Sequence, residues 1–134
     1  MQRISIATNG ERFYDITDLI KKVVKAINLE SGIVLLFCPH TSSALTITEA
    51  WDPKAKEDLQ NFLRHLAPRN LEFIKHKSEG PDDSPSHMKS LILQQSISLI
   101  VEQNELLLGQ WQGIYLAEFR DNPHMREIWI KTAP

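Results

Sequence analysis

The 134-residue chain has the length of one domain, and its 42% hydrophobic and 24% charged residues are ordinary for a globular protein. A formal net charge of −2 gives no general attraction to nucleic acid or to an anionic membrane. The only cysteine, Cys38, excludes an intrachain disulfide and a cysteine-based structural zinc site. No apolar run approaches the roughly 20 residues that span a bilayer, and residues 1–10 lack a signal-peptide pattern. We therefore expect a soluble cytoplasmic protein, one domain over residues 1–134, without nucleic-acid or membrane partners.

The first half of the chain predicts a strand, a helix, two strands and a second helix. Weak alternation over residues 2–8 is typical of a strand, and Asp15 or Thr17 is a competent N-cap for the helix that follows. That helix carries apolar residues at helical spacing: Ile16, Leu19, Ile20, Val23, Val24 and Ile27. The apolar run 33–37 predicts a strand buried on both faces, and a second strand extends from Ala44 to about Glu49. Asp52 and Pro53 then begin a helix over residues 53–66.

The second half predicts a loop, a third helix and three strands. Residues 67–83 are rich in proline, asparagine, glycine and charge, which favours a loop. Ser84 as N-cap and Pro85 as first helical residue begin the next helix. Strands are predicted from Ile97 to Glu102, from Glu105 to about Arg120, and from Met125 to Lys131, and Gly109 and Gly113 indicate a bulge or a close backbone approach in the long strand. This element order predicts an α+β fold with an antiparallel sheet and segregated helices.

The loop before the third helix concentrates charge. Asp82, Asp83 and His87 lie within six residues of one another beside a predicted helix start, where free N–H groups favour an anion. If Ser84 is the N-cap, His87 lies in the first turn. Acidic, basic and anion-attracting groups together favour a metal or a phosphate at this loop. The alternative is that the aspartates only cap the helix.

Two glutamates lie on apolar strand faces. Glu49 shares a face with Leu45 and Ile47, and Glu118 shares one with Ile114 and Leu116. A buried carboxylate needs a cation, a metal or a proton. The alternative for each glutamate is that the strand ends first and leaves the side chain at the rim.

The histidines have no spacing that identifies a zinc site, so any metal site must combine distant segments. His40 ends a buried strand at a corner of hydroxyl residues, and His76 and His87 flank the acidic loop, so we predict that these three converge on one site. His65 lies off the apolar stripe of its helix and should be exposed. Cys38 follows an apolar run, which favours a buried inert thiol over a nucleophile.

Three blocks of the sequence together resemble the YjbQ-like family. They are His40-Thr41-Ser42-Ser43-Ala44-Leu45-Thr46-Ile47-Thr48-Glu49 with Asp52-Pro53 and Asp58-Leu59; residues 79–90 around Pro81-Asp82-Asp83-Ser84-Pro85-Ser86-His87; and residues 108–118 around Trp111-Gln112-Gly113, continuing through Arg120 to Arg126. The blocks keep their order and spacing over nearly the whole chain. The resemblance implies a β-sandwich-like α+β core and a homotrimer with a polar cleft near the subunit interface.

The resemblance also implies a function. Members of the family are described as secondary thiamine-phosphate synthases, which join hydroxymethylpyrimidine diphosphate to thiazole phosphate and release diphosphate. The matching polar residues are His40, Thr41, Ser42, Glu49, His76, Asp83, His87, Gly109, Trp111, Gln112 and Glu118. Thr48 departs from the family, in which asparagine is common at this position.

We assign roles as follows. The catalytic residues are Asp83, His87, Glu49 and His40; the substrate-binding residues are Thr41, Ser42, Ser84, Trp111, Gln112 and Glu118; and the ligands of a divalent ion, Zn or Mg, are His40, His76 and His87. The expected partner is a phosphorylated small molecule. A non-catalytic trimer that binds a metabolite or metal, and a metal-dependent hydrolase of a phosphorylated small molecule, remain the alternatives.

Overall fold

A computed structural model describes residues 1–134 as eight strands and three helices. In chain order the elements are β1 (Gln2–Asn9), β2 (Arg12–Asp15), α1 (Thr17–Ile27), β3 (Ser31–Phe37), β4 (Ser43–Glu49), α2 (Pro53–Leu66), α3 (Asp83–Ile92), β5 (Ser96–Glu102), β6 (Glu105–Leu106), β7 (Gln112–Glu118) and β8 (Pro123–Ala133). None of the helices has the length and apolar character needed to cross a bilayer.

The strands form two antiparallel sheets. The larger sheet has the order β1-β8-β3-β5-β6, and the smaller has the order β2-β7-β4. The main core lies between them and includes the apolar stripe of α1, with Ile20 and Val24 fully buried. On the other face of the small sheet, Phe13, Tyr115 and Phe119 form a second cluster with Leu63 of α2. The predicted α+β, sandwich-like fold with segregated helices is confirmed.

The strands differ from the prediction in three places. β2 was not predicted, because a strand of four residues is too short for alternation to identify it. The predicted strand from Glu105 to Arg120 is two strands, because residues 107–111 cross from the large sheet to the small one. Within β7, Gly113 leaves room for a side chain rather than for the predicted backbone approach, since a Cβ there would lie 2.7 Å from the Cβ of Ala50.

The third difference concerns β3, which was predicted to be buried on both faces. Val34 and Leu36 point into the core, whereas Ile33, Leu35 and Phe37 are exposed on the outer face of the large sheet. Ile100 of the neighbouring β5 extends this exposed apolar surface. α3 borders this surface at one edge, where its His87 and Leu91 share a cavity with Phe37.

Candidate functional site

One candidate site lies where α3 begins. The side chains of His76, Asp83 and His87 offer ligand atoms that all lie within 4.8 Å of one another. Asp83 Oδ2 is 2.8 Å from His76 Nε2 and 3.3 Å from His87 Nε2. Asp83 and His87 share one helix face because they are four residues apart, and His76 is supplied by the preceding loop. We call these three residues the His76–Asp83–His87 cluster.

The start of α3 differs from the prediction and explains this geometry. The helix begins at Asp83 with Asp82 at the N-cap position, not at Ser84, and no side chain caps it. Pro85 is therefore the third helical residue, where its missing N–H is still harmless because the first four N–H groups have no partner in the helix. His87 consequently begins the second turn rather than lying in the first.

Arg120 fixes the carboxylates of this helix start. Its Nη1 donates to Asp83 Oδ1 at 2.8 Å, its Nε donates to Asp82 Oδ2 at 2.9 Å, and its Nη2 donates to the carbonyl of Glu79 at 2.9 Å. One oxygen of Asp83 is thus engaged, and the other faces the imidazoles. Burial would raise the pKa of Asp82, but hydrogen bonds from the Asp121 N–H and Arg120 outweigh it and lower that pKa. Arg120 was not assigned a site role from the sequence.

His87 is oriented by the main chain. Its Nδ1 lies 2.8 Å from the carbonyl oxygen of Thr41. A hydrogen bond from Nδ1–H to that carbonyl leaves Nε2 with its lone pair toward Asp83, which is how metal-binding histidines are commonly oriented. Thr41 therefore contacts the site through its backbone.

His40 lies near the cluster but does not belong to it. Its Nε2 accepts a hydrogen bond from the Glu127 N–H at 2.9 Å, so this nitrogen is not free for a metal. Burial, and then the Arg126 cation, lower the pKa of His40. His40 therefore lies outside the cluster, and its assignment as a metal ligand stays a prediction. His40, Thr41 and His87 do share the wall of one cavity of about 630 Å³, so the predicted convergence of the histidines is only partly correct.

Glu118 is a structural residue in this chain. Its side chain has no exposed surface, and it accepts from Arg126 Nε at 2.7 Å, Arg126 Nη2 at 2.5 Å and Thr8 Oγ1 at 2.6 Å. Burial would raise the pKa of Glu118, but the hydrogen bonds from Arg126 and Thr8 outweigh it and lower that pKa. The prediction that a buried carboxylate here needs a cation is correct, and the substrate-binding assignment of Glu118 is wrong.

Three further assigned residues lie at the opposite end of the small sheet. Glu49 pairs with Gln112 at one end of the β4–β7 ladder, whereas Ser43 pairs with Glu118 at the other. Six residue steps at about 3.3 Å each separate the ends by about 20 Å. Glu49, Trp111 and Gln112 therefore cannot share a small ligand with the His76–Asp83–His87 cluster in one chain. Glu49 lies at the rim, where it accepts from the Asp52 N–H at 3.1 Å.

The other residues singled out from the sequence lie away from the cluster or have structural contacts. Ser42 is buried, and its hydroxyl accepts from Arg126 Nη2 at 2.8 Å, so it does not face a cavity. Ser84 is half-buried and lines none of the larger cavities. Gln112 Oε1 accepts from the Gly109 N–H at 2.7 Å and so closes the turn before β7. Cys38 is buried, as expected, and burial raises its pKa.

The fold and the site define a small α+β protein with a candidate metal centre of two imidazoles and a carboxylate beside an open cavity. The family model described as "UPF0047 protein YjbQ-like" matches residues 2–134. The chain belongs to this YjbQ-like family.

Individual relatives agree with the family model. The chain is 39% identical over 130 residues to the UPF0047 protein MJ1081 of Methanocaldococcus jannaschii, covering 96% of this chain and 91% of that protein. It is 37% identical over 124 residues to the UPF0047 protein YugU of Bacillus subtilis, covering 92% and 91%. The crystal structure of the conserved hypothetical protein TT1486 of Thermus thermophilus superposes with a TM-score of 0.88 at 37% identity, covering 99% and 100% of the two chains.

Proposed function

We propose that this protein is a metal-dependent enzyme of the cytoplasm that acts on phosphorylated small molecules, with a thiamine-phosphate synthase type of activity. The His76–Asp83–His87 cluster is the observation that carries the proposal. The reaction joins hydroxymethylpyrimidine diphosphate to thiazole phosphate. A carbon–nitrogen bond forms as the bond to diphosphate breaks, and diphosphate leaves with its electron pair.

The donor atoms fit a divalent ion. Ligands about 2.0–2.1 Å from a tetrahedral zinc ion lie about 3.3 Å from one another. The His87 Nε2–Asp83 Oδ2 separation is 3.3 Å, and the 2.8 Å between His76 Nε2 and Asp83 Oδ2 would have to lengthen by about half an ångström on binding. Two imidazoles favour zinc or another transition metal over magnesium. Three protein ligands leave a position open, as in catalytic rather than structural zinc sites.

The chain's own residues would divide the work. Arg120 holds Asp83 so that one carboxylate oxygen points toward the imidazoles, and the Thr41 carbonyl orients His87. When bound, the metal would stabilise negative charge that develops on the departing diphosphate. His40, kept neutral by its lowered pKa, lines the adjoining cavity and would contribute a neutral imidazole there.

The enzyme would work as a homotrimer. Support comes from the exposed apolar side chains of Ile33, Leu35, Phe37 and Ile100 on the outer face of the large sheet. Contiguous exposed apolar surface of this kind is typical of a face that another chain covers. Light scattering at micromolar concentration should give three times the mass of the chain, and a monomer would contradict the assembly.

The test compares metal binding and turnover in four proteins. Wild type, His76→Ala and His87→Ala are loaded with zinc or with cobalt(II) as a spectroscopic substitute, and His65→Ala serves as control because His65 is exposed on α2. The two cluster variants should lose metal affinity and at least about 100-fold in thiamine phosphate formation. The control should change neither property.

Two other outcomes would favour other functions. Phosphate release without the thiazole partner would indicate the metal-dependent hydrolase, whose bound water would take the open position. Stoichiometric ligand or metal binding without any product would indicate a non-catalytic binding protein. A wild-type protein that binds no divalent ion would remove the basis of the proposal.

A further inference from the structure

His40 binds a backbone amide of β8 through one of its two ring nitrogens. The last pair of the β3–β8 ladder is Phe37 with Trp129, so the N–H of Glu127 lies beyond that ladder. His40 Nε2 accepts a hydrogen bond from this N–H at 2.9 Å. Because an amide N–H can only donate, Nε2 must carry the lone pair, and the proton of the neutral imidazole lies on Nδ1. The fold therefore fixes the tautomer of His40.

The Nδ1–H group of His40 is free to bind a ligand. The only hydrogen bond of the His40 ring is the one at Nε2, so Nδ1 has no partner in the chain. Nδ1 is also not among the buried side-chain atoms that lack a partner, so it can be reached from outside. His40 lines the cavity of about 630 Å³ that it shares with Thr41 and His87. We call this the His40 cavity, and the free N–H is offered to it.

His87 shows the opposite arrangement in the same cavity. Its Nδ1 lies 2.8 Å from the carbonyl oxygen of Thr41, and a carbonyl can only accept, so Nδ1 carries the proton. The lone pair on His87 Nε2 lies 3.3 Å from Asp83 Oδ2. The two imidazoles therefore have the same tautomer but opposite free nitrogens. His87 donates its proton to the main chain and keeps a lone pair, whereas His40 accepts from the main chain and keeps a proton.

The His40 cavity suits an uncharged polar group. No aspartate, glutamate, lysine or arginine lines it, and burying an ion without a countercharge is costly. Two of its lining residues carry buried oxygen atoms without a hydrogen-bond partner, Ser90 Oγ and Gln95 Oε1, and Ser90 is only 3% exposed. Buried polar atoms without partners are unusual in proteins. A polar ligand group would give such atoms partners.

We infer that the His40 cavity binds an uncharged polar group of the ligand, and that His40 donates its Nδ1–H to an acceptor atom of that group, a carbonyl oxygen or an unprotonated nitrogen. This rests on the proposed function for the cavity as a substrate site, and it adds which kind of atom His40 recognises. His40 would thereby discriminate against a ligand that presents a donor at the same position, because two donors would face each other.

The tautomer is measured first, by long-range proton–nitrogen NMR of the histidine rings in metal-free protein at about pH 8, above the ordinary pKa of histidine. His40 Nδ1 should have the shift of a protonated nitrogen, and Nε2 that of an unprotonated nitrogen. His65, which is exposed on α2, is the control and should show the averaged shifts of exchanging tautomers. A proton on Nε2 of His40, or averaged shifts like those of His65, would overturn the inference.

Two variants then separate the accepting nitrogen from the donating one. Asparagine places an amide N–H near the position of Nδ1, whereas glutamine places its amide oxygen near that of Nε2. His40→Asn therefore keeps a donor for the cavity and loses the acceptor for Glu127, and His40→Gln does the reverse. The probes are cyclohexanone, which has an acceptor and no donor, and benzene, which tests the apolar walls alone. NMR titration at millimolar concentration follows the amide shifts of Ser90 and Gln95, so that binding is located in the His40 cavity.

The variants should differ in binding and in stability in opposite directions. His40→Gln should bind cyclohexanone about fivefold to tenfold more weakly than wild type, which is the scale of one uncharged hydrogen bond. His40→Asn should bind it within about twofold of wild type but unfold at a lower temperature, because the Glu127 N–H loses its partner. Benzene should bind all three proteins alike.

Three results of the titrations would overturn the inference: wild-type affinity of His40→Gln for cyclohexanone, equal weakening in both variants, or no binding of cyclohexanone to wild type. If a variant does not fold, the wild-type tautomer decides. Failure of the proposed function gives a different pattern. A protein that binds no metal and forms no product, but shows the fixed tautomer and the loss in His40→Gln, would keep the His40 donor and lose the metal enzyme. A protein that forms product with an averaged His40 tautomer would do the opposite.

Discussion

Replacing Asp83 by asparagine separates the structural role of its carboxylate from its role as a metal ligand. Asp83 is 3% exposed, and its two oxygens have different partners: Arg120 Nη1 on Oδ1 and the imidazoles of His76 and His87 on Oδ2. In Asp83→Asn, the amide oxygen must face Arg120, because the opposite orientation would set two donors against each other. The amide NH₂ group is thereby directed at the imidazoles, where it cannot ligate a metal.

The expected cost in stability is moderate. Leaving a buried charge without any partner typically costs about 3–5 kcal/mol. Arg120 keeps Asp82 Oδ2 at 2.9 Å and the Glu79 carbonyl at 2.9 Å, so it is not orphaned. We therefore expect Asp83→Asn to lower the free energy of unfolding by about 1–2 kcal/mol. This is more than an exposed position would give, because the structure places Asp83 in the interior.

The effect on metal binding should be larger. Loss of the only anionic ligand in the cluster should weaken zinc or cobalt(II) binding by at least about 100-fold, measured by calorimetry and by cobalt absorption. Asp82→Asn is the matched control, since it removes the same charge from the same Arg120 contact without facing the imidazoles. It should cost similar stability and leave metal affinity within about threefold. Wild-type metal affinity in Asp83→Asn would refute the assignment of Asp83 as a ligand.

The remaining predictions concern the buried charges. Glu118→Gln should lower the free energy of unfolding in denaturant titrations by about 3 kcal/mol, because it leaves Arg126 buried without its carboxylate, and an unchanged value would show that the pair is dispensable. The free energy of unfolding should also fall as the pH drops below about 6.5. The pKa of His40 is lowered in the folded state, so in this pH range the unfolded chain binds a proton that the folded chain does not. The pKa values of Asp82 and Glu118 are lower in the folded chain than in the unfolded chain. Their contribution to the free energy of unfolding is therefore fully present above about pH 4, where they titrate in the unfolded chain, and is lost as the pH falls through their lower pKa values in the folded chain. In unfolding experiments from pH 3 to 8, His40→Asn should remove the upper of these two transitions.

Periodicity predicted the elements that are long and bury one face. The stripe of α1 and the alternation of β5 are local patterns, and both elements form where the patterns indicate. β2 and the crossing at residues 107–111 depend on which sheet a segment joins. That is decided by pairing with distant strands, so no local pattern contains it.

The interpretation of β3 was wrong for a related reason. Five consecutive apolar residues, 33–37, predict burial on both faces of the strand, but the pattern does not say what covers the second face. Within this chain the second face stays partly exposed, at 51% for Ile33 and 39% for Leu35. The homotrimer proposed above would cover Ile33, Leu35 and Phe37, so the prediction from sequence and that proposal concern the same surface.

Residues of the candidate site that lie close together in the sequence could be predicted to meet, whereas those that come from distant segments could not. Asp83 and His87 are four residues apart on one helix, and spacing alone brings them together. His76 approaches from a loop and was predicted only because it flanks the acidic residues, whereas Arg120, just beyond β7, had no local signal. Arg120 could have been suspected only by asking which cation would balance two adjacent buried aspartates.

The residues carried over by family resemblance separate into two groups at opposite ends of β4. One group surrounds His87 and Asp83, and the other contains Glu49, Trp111 and Gln112, about 20 Å away. Trp111 is also exposed beside the exposed Trp51, with the rings 5.1 Å apart, so this end presents aromatic surface that the chain itself does not cover. A single active site can use both groups only if the second is supplied by a neighbouring subunit. The oligomeric state and the extent of the site are therefore one question, and a monomer in solution would leave the residues around Trp111 with a role separate from the His76–Asp83–His87 cluster.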